Sequence, residues 1–274
     1  MYKKIIIGIL ILSMMIATIG CTKATSKSEA NVDSTSSSLE KIKEKGKIVL
    51  GTSADYPPYE FHKLINGKDE IVGFDIEIAK KIADDIGVEL EIVDMKFDGL
   101  LAALVTNDVD FIVAGMAPTP ERAETVDFSI SYYAGKQKLI VRKDDAAKLK
   151  EPKDFKGLKI GVQKSTTQED IAVEKFTESE IVGLSKITDL VLEINNNKID
   201  GIILSEPVAE AYVAQNKNLY MAEVTLGEEP NVAVALNKGN KDLQDSINET
   251  LDKLVKEGSI DKLIQEATIL AEQD

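Results

Sequence analysis

The 274-residue sequence has few of the residues that metal sites and disulfides require. It contains one cysteine, Cys21, one histidine, His62, and no tryptophan. A single cysteine excludes a disulfide within the chain, and no cluster of metal ligands is present. The phosphate-binding pattern GxxxxGK[ST] is also missing. The sequence therefore predicts no cofactor and no metal, and His62 is expected to be a surface residue rather than a catalytic base.

Positive charge is scarce as well. There are 33 lysines and arginines against 47 acidic residues, which gives a net charge of −14. Removal of residues 1–20, which hold Lys3 and Lys4 but no acid, would make it −16. Such a surface repels phosphate backbones, so nucleic acid is not an expected partner. We interpret the charge mainly as a contribution to solubility.

An apolar run of some length occurs only at the N-terminus. Residues 1–4 include two lysines, and residues 5–19 are apolar but too few to span a membrane, which predicts an export signal over residues 1–20. Cys21 follows "ATIG" and resembles the lipobox cysteine of bacterial lipoproteins, which is lipidated and becomes the first residue of the mature chain. The alternative is a buried or chance cysteine. Residues 21–40 lack aromatics and predict a flexible, lipid-anchored tether.

Two cycles of alternating strands and helices follow. The segments "KIVLGT", "GFDIEIAKKIADDIG", "VELEIVDM", "FDGLLAALVTN" and "DVDFIVAG" form the first cycle, and a second runs from "GLKIGVQ" to "EPVAEAYVAQ". Extended segments join the cycles. We therefore predict an α/β fold of two Rossmann-like lobes, joined by a two-strand hinge, with a ligand cleft between them. Lobe 1 is predicted over residues 41–136 plus 233–274, and lobe 2 over residues 137–232.

Helix patterns are clear in two places. Phe74, Ile78 and Ile82 recur at a spacing near 3.6 residues, which predicts one buried helix face. Two amphipathic helices end the chain, and Gly258 is expected to stop the first of them while Ser259 caps the second.

The turns that follow strands are the candidate ligand-binding segments, because ligands of open α/β sheets bind outside the carboxyl ends of the strands. The turn "GTSADYPPYEF" presents Ser53, Asp55 and Tyr56 before two prolines that fix the loop. Tyr56 either forms a wall of a ligand slot or fills the core. Phe97, at the start of the next helix, has the same two interpretations.

The turn "GMAPTPER" places an arginine at the start of a short helix. Thr119 is expected to be the N-cap and Pro120 the first helical residue, which puts Arg122 in the first turn, where the helix dipole disfavours a cation. Either Glu121 and Glu124 offset this charge as surface pairs, or Arg122 binds an external carboxylate through both arms of its guanidinium group.

Two turns of the second lobe supply further candidates. "QKSTTQED" begins a helix with Ser165, Thr166 and Thr167, whose amides suit a carboxylate. The turn after "IDGIIL" offers Ser205 and Glu206. Glu206 is either an ordinary acidic residue at a helix start or an acceptor for a ligand ammonium group.

From about residue 41 to its end, the sequence resembles the extracellular solute-binding proteins for polar amino acids, family 3, which are the receptors of ABC uptake systems. Six motifs carry the resemblance, in order and at the family's spacing: "GTSADYPPYEF", "GFDIEIAKKIADDIG", "MKFDGLLAAL", "VDFIVAGMAPTPERAETVDFSISYY", "KGLKIGVQKSTTQE" and "IDGIILSEPVAEAYV". The resemblance implies the type II periplasmic-binding-protein fold, closing over one amino acid.

The resemblance also implies roles for single residues. Tyr56 and Phe97 would sandwich the ligand, and Arg122 would take its α-carboxylate, with amides near Ala117 and Thr167 assisting. The ligand-binding residues expected in total are Ser53, Tyr56, Phe97, Gly115, Met116, Ala117, Arg122, Gln163, Thr167, Ser205 and Glu206.

Recognition of the other ligand groups is less determined. The Gly115 carbonyl would accept from the α-ammonium, while Ala117 lacks the hydroxyl that the family often has there. Ser205 stands where the family often has an acid, so Ser205 and the adjacent Glu206 remain alternatives. Groups that could face the ligand side chain are Ser53, Asp55, Glu60 and Gln163.

The expected function is that of a substrate-binding lipoprotein of an ABC importer, not an enzyme. It would bind a free amino acid, polar or cationic rather than cystine or acidic, and deliver it to permease subunits by closure of the lobes. We expect a monomer, held by its N-terminal lipid at the extracellular face of the cell membrane. The alternatives are a cyclohexadienyl dehydratase-like enzyme on the same fold and a lipoprotein that senses an amino acid without transport.

Overall fold

A computed structural model describes residues 37–227 and 231–273. The predicted export signal and the predicted anchor, Cys21, lie outside the described residues. Helix α1 (Ser38–Lys45) begins inside the predicted tether, so that prediction extends too far at its end. The reason is a capping box, in which the Ser37 hydroxyl accepts from the Glu40 amide and the Glu40 carboxylate accepts from the Ser37 amide.

The first of two main sheets contains strands from both ends of the described chain. Its order is β5-β1-β6-β13-β7, in which β1 runs parallel to β5 and β6 while β13 runs antiparallel to β6 and β7. The strands are β1 (Lys47–Thr52), β5 (Glu89–Asp94), β6 (Phe111–Ile112), β7 (Val126–Tyr133) and β13 (Val232–Asn237).

The second main sheet contains only strands from the middle of the chain. Its order is β10-β9-β11-β8-β12, in which β9 is parallel to β10 and β11 while β8 is antiparallel to β11 and β12. The strands are β8 (Gln137–Arg142), β9 (Lys159–Gln163), β10 (Glu180–Leu184), β11 (Gly201–Ser205) and β12 (Leu219–Ala222).

The chain passes from the first sheet to the second between β7 and β8, and returns between β12 and β13. This confirms the predicted α/β fold with two lobes. The residue boundaries of the lobes stay predictions. A small antiparallel sheet, which the sequence did not lead us to predict, is formed by β2 (Asp55–Tyr56), β3 (Glu60–Ile65) and β4 (Lys68–Val72).

Helices cover the sheets and bury their apolar faces. Phe74, Ile78 and Ile82 are fully buried, as their spacing predicted. Ser259 is not a cap, because Gly258 in the left-handed region (φ 68°) takes that position and Ser259 is the first helical residue. The remaining helices are α2 (Phe74–Ile86), α3 (Leu100–Val105), α4 (Pro120–Ala123), α5 (Thr167–Lys175), α6 (Ile187–Asn195), α7 (Glu206–Gln215), α8 (Lys241–Lys256) and α9 (Ser259–Glu272), with 3-10 turns at Phe97–Gly99 and Pro152–Phe155.

The C-terminal helices return to the first lobe. Helices α8 and α9 both contact α2, α8 also contacts β7, and α9 reaches α7 of the second lobe as well. None of the helices within the described ranges is long and apolar enough to cross a membrane.

Candidate ligand-binding site

A small cavity of about 20 Å³ lies among residues that follow the carboxyl ends of β1, β6 and β9. This is the place that α/β topology favours for a ligand. The cavity lining includes eight of the eleven expected residues: Ser53, Tyr56, Phe97, Gly115, Ala117, Arg122, Gln163 and Thr167. The structure thus brings them together, while their contact with a ligand stays a prediction.

Arg122 lines the cavity. Its side chain is in the first turn of α4, where Thr119 is the N-cap and Pro120 the first residue, as the sequence predicted. The guanidinium donates from Nη1 to the Ala117 carbonyl (2.7 Å) and from Nη2 to the Ser165 carbonyl (2.8 Å). The second of these bonds joins the two lobes.

The guanidinium is nearly buried but has no carboxylate within 4.0 Å among the described residues. It lies 5.5 Å from the centre of the Phe97 ring, a distance at which the ring face attracts a cation. Burial lowers the pKa of Arg122, and the charges of Asp170 and Glu121 oppose this shift. Arginine stays protonated under such conditions, so the group remains a cation with planar donors. Surface pairing with Glu121 or Glu124 therefore does not account for its position.

Tyr56 and Phe97 both border the cavity and are about nine-tenths buried. The Tyr56 hydroxyl accepts from Gln168 Nε2 (3.3 Å), which comes from helix α5 of the second lobe. The Tyr56 ring lies 5.0 Å from that of Tyr59, which packs in turn against Phe74. Tyr56 therefore lines the cavity and also belongs to the hydrophobic core, while its role as a wall for a ligand stays a prediction.

Gly115 has a conformation that requires glycine. Its φ is +54°, and a Cβ atom there would lie 3.1 Å from the Tyr56 ring. Its amide donates to Asp75 Oδ2 (2.8 Å), and Asp75 also accepts from the Tyr132 hydroxyl at 2.9 Å. The buried Asp75 side chain thus fixes the backbone at Gly115, which lines the cavity.

The second-lobe turn is held by its own side chains. Thr166 is the N-cap of α5 and accepts from the Glu169 amide, and the Ser165 amide donates to Glu169 Oε2 at 2.8 Å. The expectation that the Ser165 amide is free for a ligand is therefore wrong, because Glu169 occupies it. The Thr167 residue, first in the helix, remains at the cavity.

Three expected residues lie outside the cavity lining. Met116 is buried and borders a second groove next to the cavity, called the outer groove, which Thr119, Glu121 and Ser165 also line. Ser205 is fully buried at the end of β11, and Glu206 pairs with Lys138 Nζ at 3.0 Å. A carboxylate already neutralised by a lysine is a poor acceptor for a ligand ammonium group.

Two cavity-lining residues, Ala114 and Gln168, are missing from the candidates predicted from sequence, whereas Glu60 and Thr166 are among those candidates. Glu60 lines the cavity and is 1% exposed, and Ala114, Thr166 and Gln168 complete the lining. Asp55 accepts from the Ile187 amide (2.7 Å) through its carboxylate and from the Tyr212 hydroxyl (2.8 Å) through its carbonyl. Asp55 therefore bridges the lobes and is not one of the cavity-lining residues.

Three carboxyl groups near the cavity have a pKa above the ordinary value. Burial raises the pKa of Asp55 to about 6, against the Ile187 hydrogen bond and the Lys186 charge. Burial raises that of Asp75 to about 7, against its hydrogen bonds from Gly115 and Tyr132. The pKa of Glu60 lies well above its ordinary value because of burial and the neighbouring Asp75 and Asp55 charges.

His62 lies on the surface, next to Asp69 (2.9 Å) and Asp94 (3.4 Å), and does not border the cavity. Among residues 37–227 and 231–273 there is no group of three or more side chains suited to hold a metal ion.

The sequence model of the bacterial extracellular solute-binding proteins, family 3, matches residues 48–267. The chain belongs to this family. The arginine-binding extracellular protein ArtP of Bacillus subtilis (strain 168) is 37% identical over 223 residues, which are 80% of this chain and 85% of the relative.

Solved structures of amino-acid-binding proteins have the same fold. A crystal structure of the amino acid ABC transporter substrate-binding protein AbpA of Streptococcus pneumoniae, bound to L-arginine, has a TM-score of 0.83 and 38% identity, with 86% of this chain and 100% of that chain covered. The ancestral amino acid-binding protein AncCDT-1, a precursor of cyclohexadienyl dehydratase, has a TM-score of 0.77 and 34% identity over 85% of this chain and 100% of that one. Membership of family 3 makes this chain a solute-binding protein.

Proposed function

We propose that this protein binds one cationic amino acid, L-arginine, between its lobes and delivers it to the permease of an ABC importer. The observation that carries the proposal is that one basic and one acidic side chain, those of Arg122 and Glu60, line the same cavity. Arg122 supplies a cation without a carboxylate partner within 4.0 Å among the described residues, and Glu60 supplies a buried acid.

The surroundings of Arg122 favour an anionic group of the ligand, and those of Glu60 favour a cationic group. The charges with the largest effect on Glu60 are those of Asp75, Asp55 and Asp94, all carboxylates. A guanidinium or ammonium group beside Glu60 would relieve this repulsion. The planar donors of Arg122 suit the two oxygens of an α-carboxylate. The α-ammonium would then lie near the Gly115 carbonyl, and the cationic side chain would extend toward Glu60.

Lobe closure would follow from ligand contacts with both lobes. Arg122 now donates to the Ser165 carbonyl, and the Tyr56 hydroxyl accepts from Gln168. The cavity of about 20 Å³ is much smaller than an amino acid, so the lobes must separate before a ligand reaches it. A bound carboxylate would replace the Ser165 carbonyl as acceptor for Arg122 and would accept from amides near Thr167 as well. The ligand would thus join the lobes as those bonds do now.

The relatives support the choice of arginine. ArtP is named as an arginine-binding protein, and AbpA was crystallised with L-arginine. Delivery to permease subunits, a monomeric state and anchoring through Cys21 at the outer face of the membrane belong to the same proposal. The alternative is a protein that senses arginine without transporting it. A measurement of arginine uptake would distinguish the two functions.

A panel of free amino acids tests the proposal by thermal shift. The twenty standard amino acids plus ornithine, citrulline and cystine are added separately to the purified protein. We expect L-arginine to raise the melting temperature most, with lysine and ornithine next and the acidic amino acids without effect. A largest shift with an acidic amino acid or with cystine would refute cation recognition.

A cyclohexadienyl dehydratase-like activity is the second candidate. It is favoured by the raised pKa of Glu60, since a protonated carboxyl in a cleft is what a general acid requires. Incubation with a cyclohexadienyl acid, followed by measurement of the aromatic product, separates the two functions. We expect no product above that of the uncatalysed reaction.

A further inference from the structure

Two buried carboxyl groups lie next to each other beside the cavity. Glu60, on strand β3, is 1% exposed, and Asp75, in the first turn of helix α2, is fully buried. The Asp75 amide donates to the carbonyl of Tyr59 (3.0 Å), the residue before Glu60, so the two acids are close in space. Two ionised carboxylates so close together in the interior would repel each other, which favours a proton on one of them.

The hydrogen-bond partners show which group holds the proton. Asp75 accepts from the Gly115 amide and from the Tyr132 hydroxyl, so its oxygens act as acceptors. Oxygen Oε2 of Glu60 is buried and has no partner among the donors of the described residues. A buried carboxylate oxygen without a donor is costly, whereas a protonated Glu60 can itself donate to Asp75.

The charges of the other titratable groups around the pair affect whether Glu60 keeps its proton. Asp55 on β2 and Asp94 at the end of β5 both act on Glu60 as negative charges. Tyr132 on β7 donates to Asp75, and Tyr59 packs beside Tyr56 and Phe74 next to the pair. Lys186 acts on Asp55 and is not among the main influences on Glu60. Nearby charge therefore favours retention of the proton until a cation comes from outside.

We propose that Glu60 and Asp75 share one proton in the ligand-free protein, and that the cationic side chain of a bound amino acid displaces this proton to solvent. The displacement of the proton by a cationic side chain rests on the proposed function, whereas the shared proton does not. Before binding, Glu60 and Asp75 hold one proton between them. After binding, both are ionised, the cationic side chain of the ligand contacts the pair, and the proton has passed to water. No covalent bond between heavy atoms changes.

Asp75 acts in this scheme as a positioning residue. It does not line the cavity, but in this scheme it sets the charge on Glu60, and it holds the amide of Gly115. The state of the pair is thus connected to the backbone turn that would receive the α-ammonium. Release of the proton makes binding of a cation more favourable as the pH rises, because the protein then has less proton to lose.

Calorimetric titration with arginine and with citrulline tests the proposal. Citrulline has nearly the shape of arginine but an uncharged side chain. Titrations at pH 7 in buffers of different ionisation enthalpy give the number of protons released. We expect arginine to release a large part of one proton and its dissociation constant to fall by up to about tenfold per pH unit between pH 6 and pH 8. Citrulline should bind with little release and little pH dependence.

The variant Asp75→Asn separates proton sharing from a merely structural role. If Asp75 only supports the turn, the variant binds arginine more weakly but releases the same number of protons. If it shares the proton, the number released changes. Equal release with arginine and citrulline in the unaltered protein would overturn the proposal, because the pair would then respond to the α-ammonium that both ligands carry.

Infrared spectroscopy of the ligand-free protein tests the shared proton without any ligand. A protonated buried carboxyl absorbs apart from ionised carboxylates. At pH 8, above the Asp75 pKa of about 7, we expect one such band that is lost in Glu60→Gln. If the band is missing in the unaltered protein, the shared proton is refuted whatever binds. If no amino acid binds while the band is present, the proposed function fails and the shared proton stands.

Discussion

Replacement of Arg122 by alanine is expected to remove almost all arginine binding. Loss of one partner of a buried charge pair costs about 2–5 kcal/mol, or roughly a 30- to 5,000-fold loss of affinity. The guanidinium is nearly buried, and it has no carboxylate within 4.0 Å among the described residues, so the ligand would be its charge partner. Arg122→Lys should be intermediate, since a lysine keeps the charge but not the paired planar donors. Calorimetry with L-arginine measures all three proteins.

Glu121→Gln is the matched control for this variant. Glu121 precedes Arg122, is exposed, and borders the outer groove rather than the cavity. Its removal should change the affinity only a few-fold. The fold of each variant is checked by circular dichroism without ligand. An unchanged affinity in a folded Arg122→Ala protein would show that the α-carboxylate binds elsewhere.

Asp75 is expected to make the protein less stable as the pH rises from about 4 to about 7. Its pKa in the folded protein is about 7, against an ordinary value of 3.8. Because the folded state holds the proton more tightly than the unfolded state, the stabilising effect is complete below pH 3.8 and is lost as the pH rises through the folded value. The loss is about 4 kcal/mol over this interval, at 1.36 kcal/mol per pKa unit. Asp55, whose pKa is raised to about 6, acts in the same direction.

Urea unfolding at pH 5 and at pH 8 measures this effect. The free energy of unfolding should be lower at pH 8, and the difference should shrink in Asp75→Asn, which has no proton to lose there. Asp245→Asn is the control, because Asp245 is exposed and pairs with Lys241 on the surface of α8. The same pH difference in Asp75→Asn as in the unaltered protein would show that other groups cause it.

Local signals in the sequence were sufficient for much of the fold. The spacing of Phe74, Ile78 and Ile82 located the buried face of α2, and Thr119 with Pro120 located the start of α4. These features depend on residues a few positions apart. The strand and helix order was likewise sufficient for the two lobes, because short connections between parallel strands leave few topologies.

Two further local signals in the sequence indicate a hairpin and a helix start. Asn66 and Gly67 both have positive φ at the turn between β3 and β4, and an Asn-Gly pair is a strong hairpin signal. Ser37 and Glu40 have the spacing of a capping box, which indicates a helix start inside the predicted tether of residues 21–40. Both features could have been predicted from sequence alone.

Contacts between distant residues could not be read from local patterns. Asp75 supports Gly115, 40 positions along the chain, and Asp55 accepts from the Ile187 amide across the cleft. Glu206 was a reasonable candidate for the ligand ammonium until its pairing with Lys138 was known. Burial and pairing of charges depend on the tertiary fold, so the sequence identified the cleft better than the charge at each position within it.

A crystal structure of the protein with L-arginine is the most direct test of the proposed binding mode. The account predicts one arginine between the lobes, with its α-carboxylate on Arg122, its ammonium near the Gly115 carbonyl and its guanidinium against Glu60. An arginine bound in the reverse direction, with its guanidinium away from Glu60, or bound outside the cleft, would contradict it.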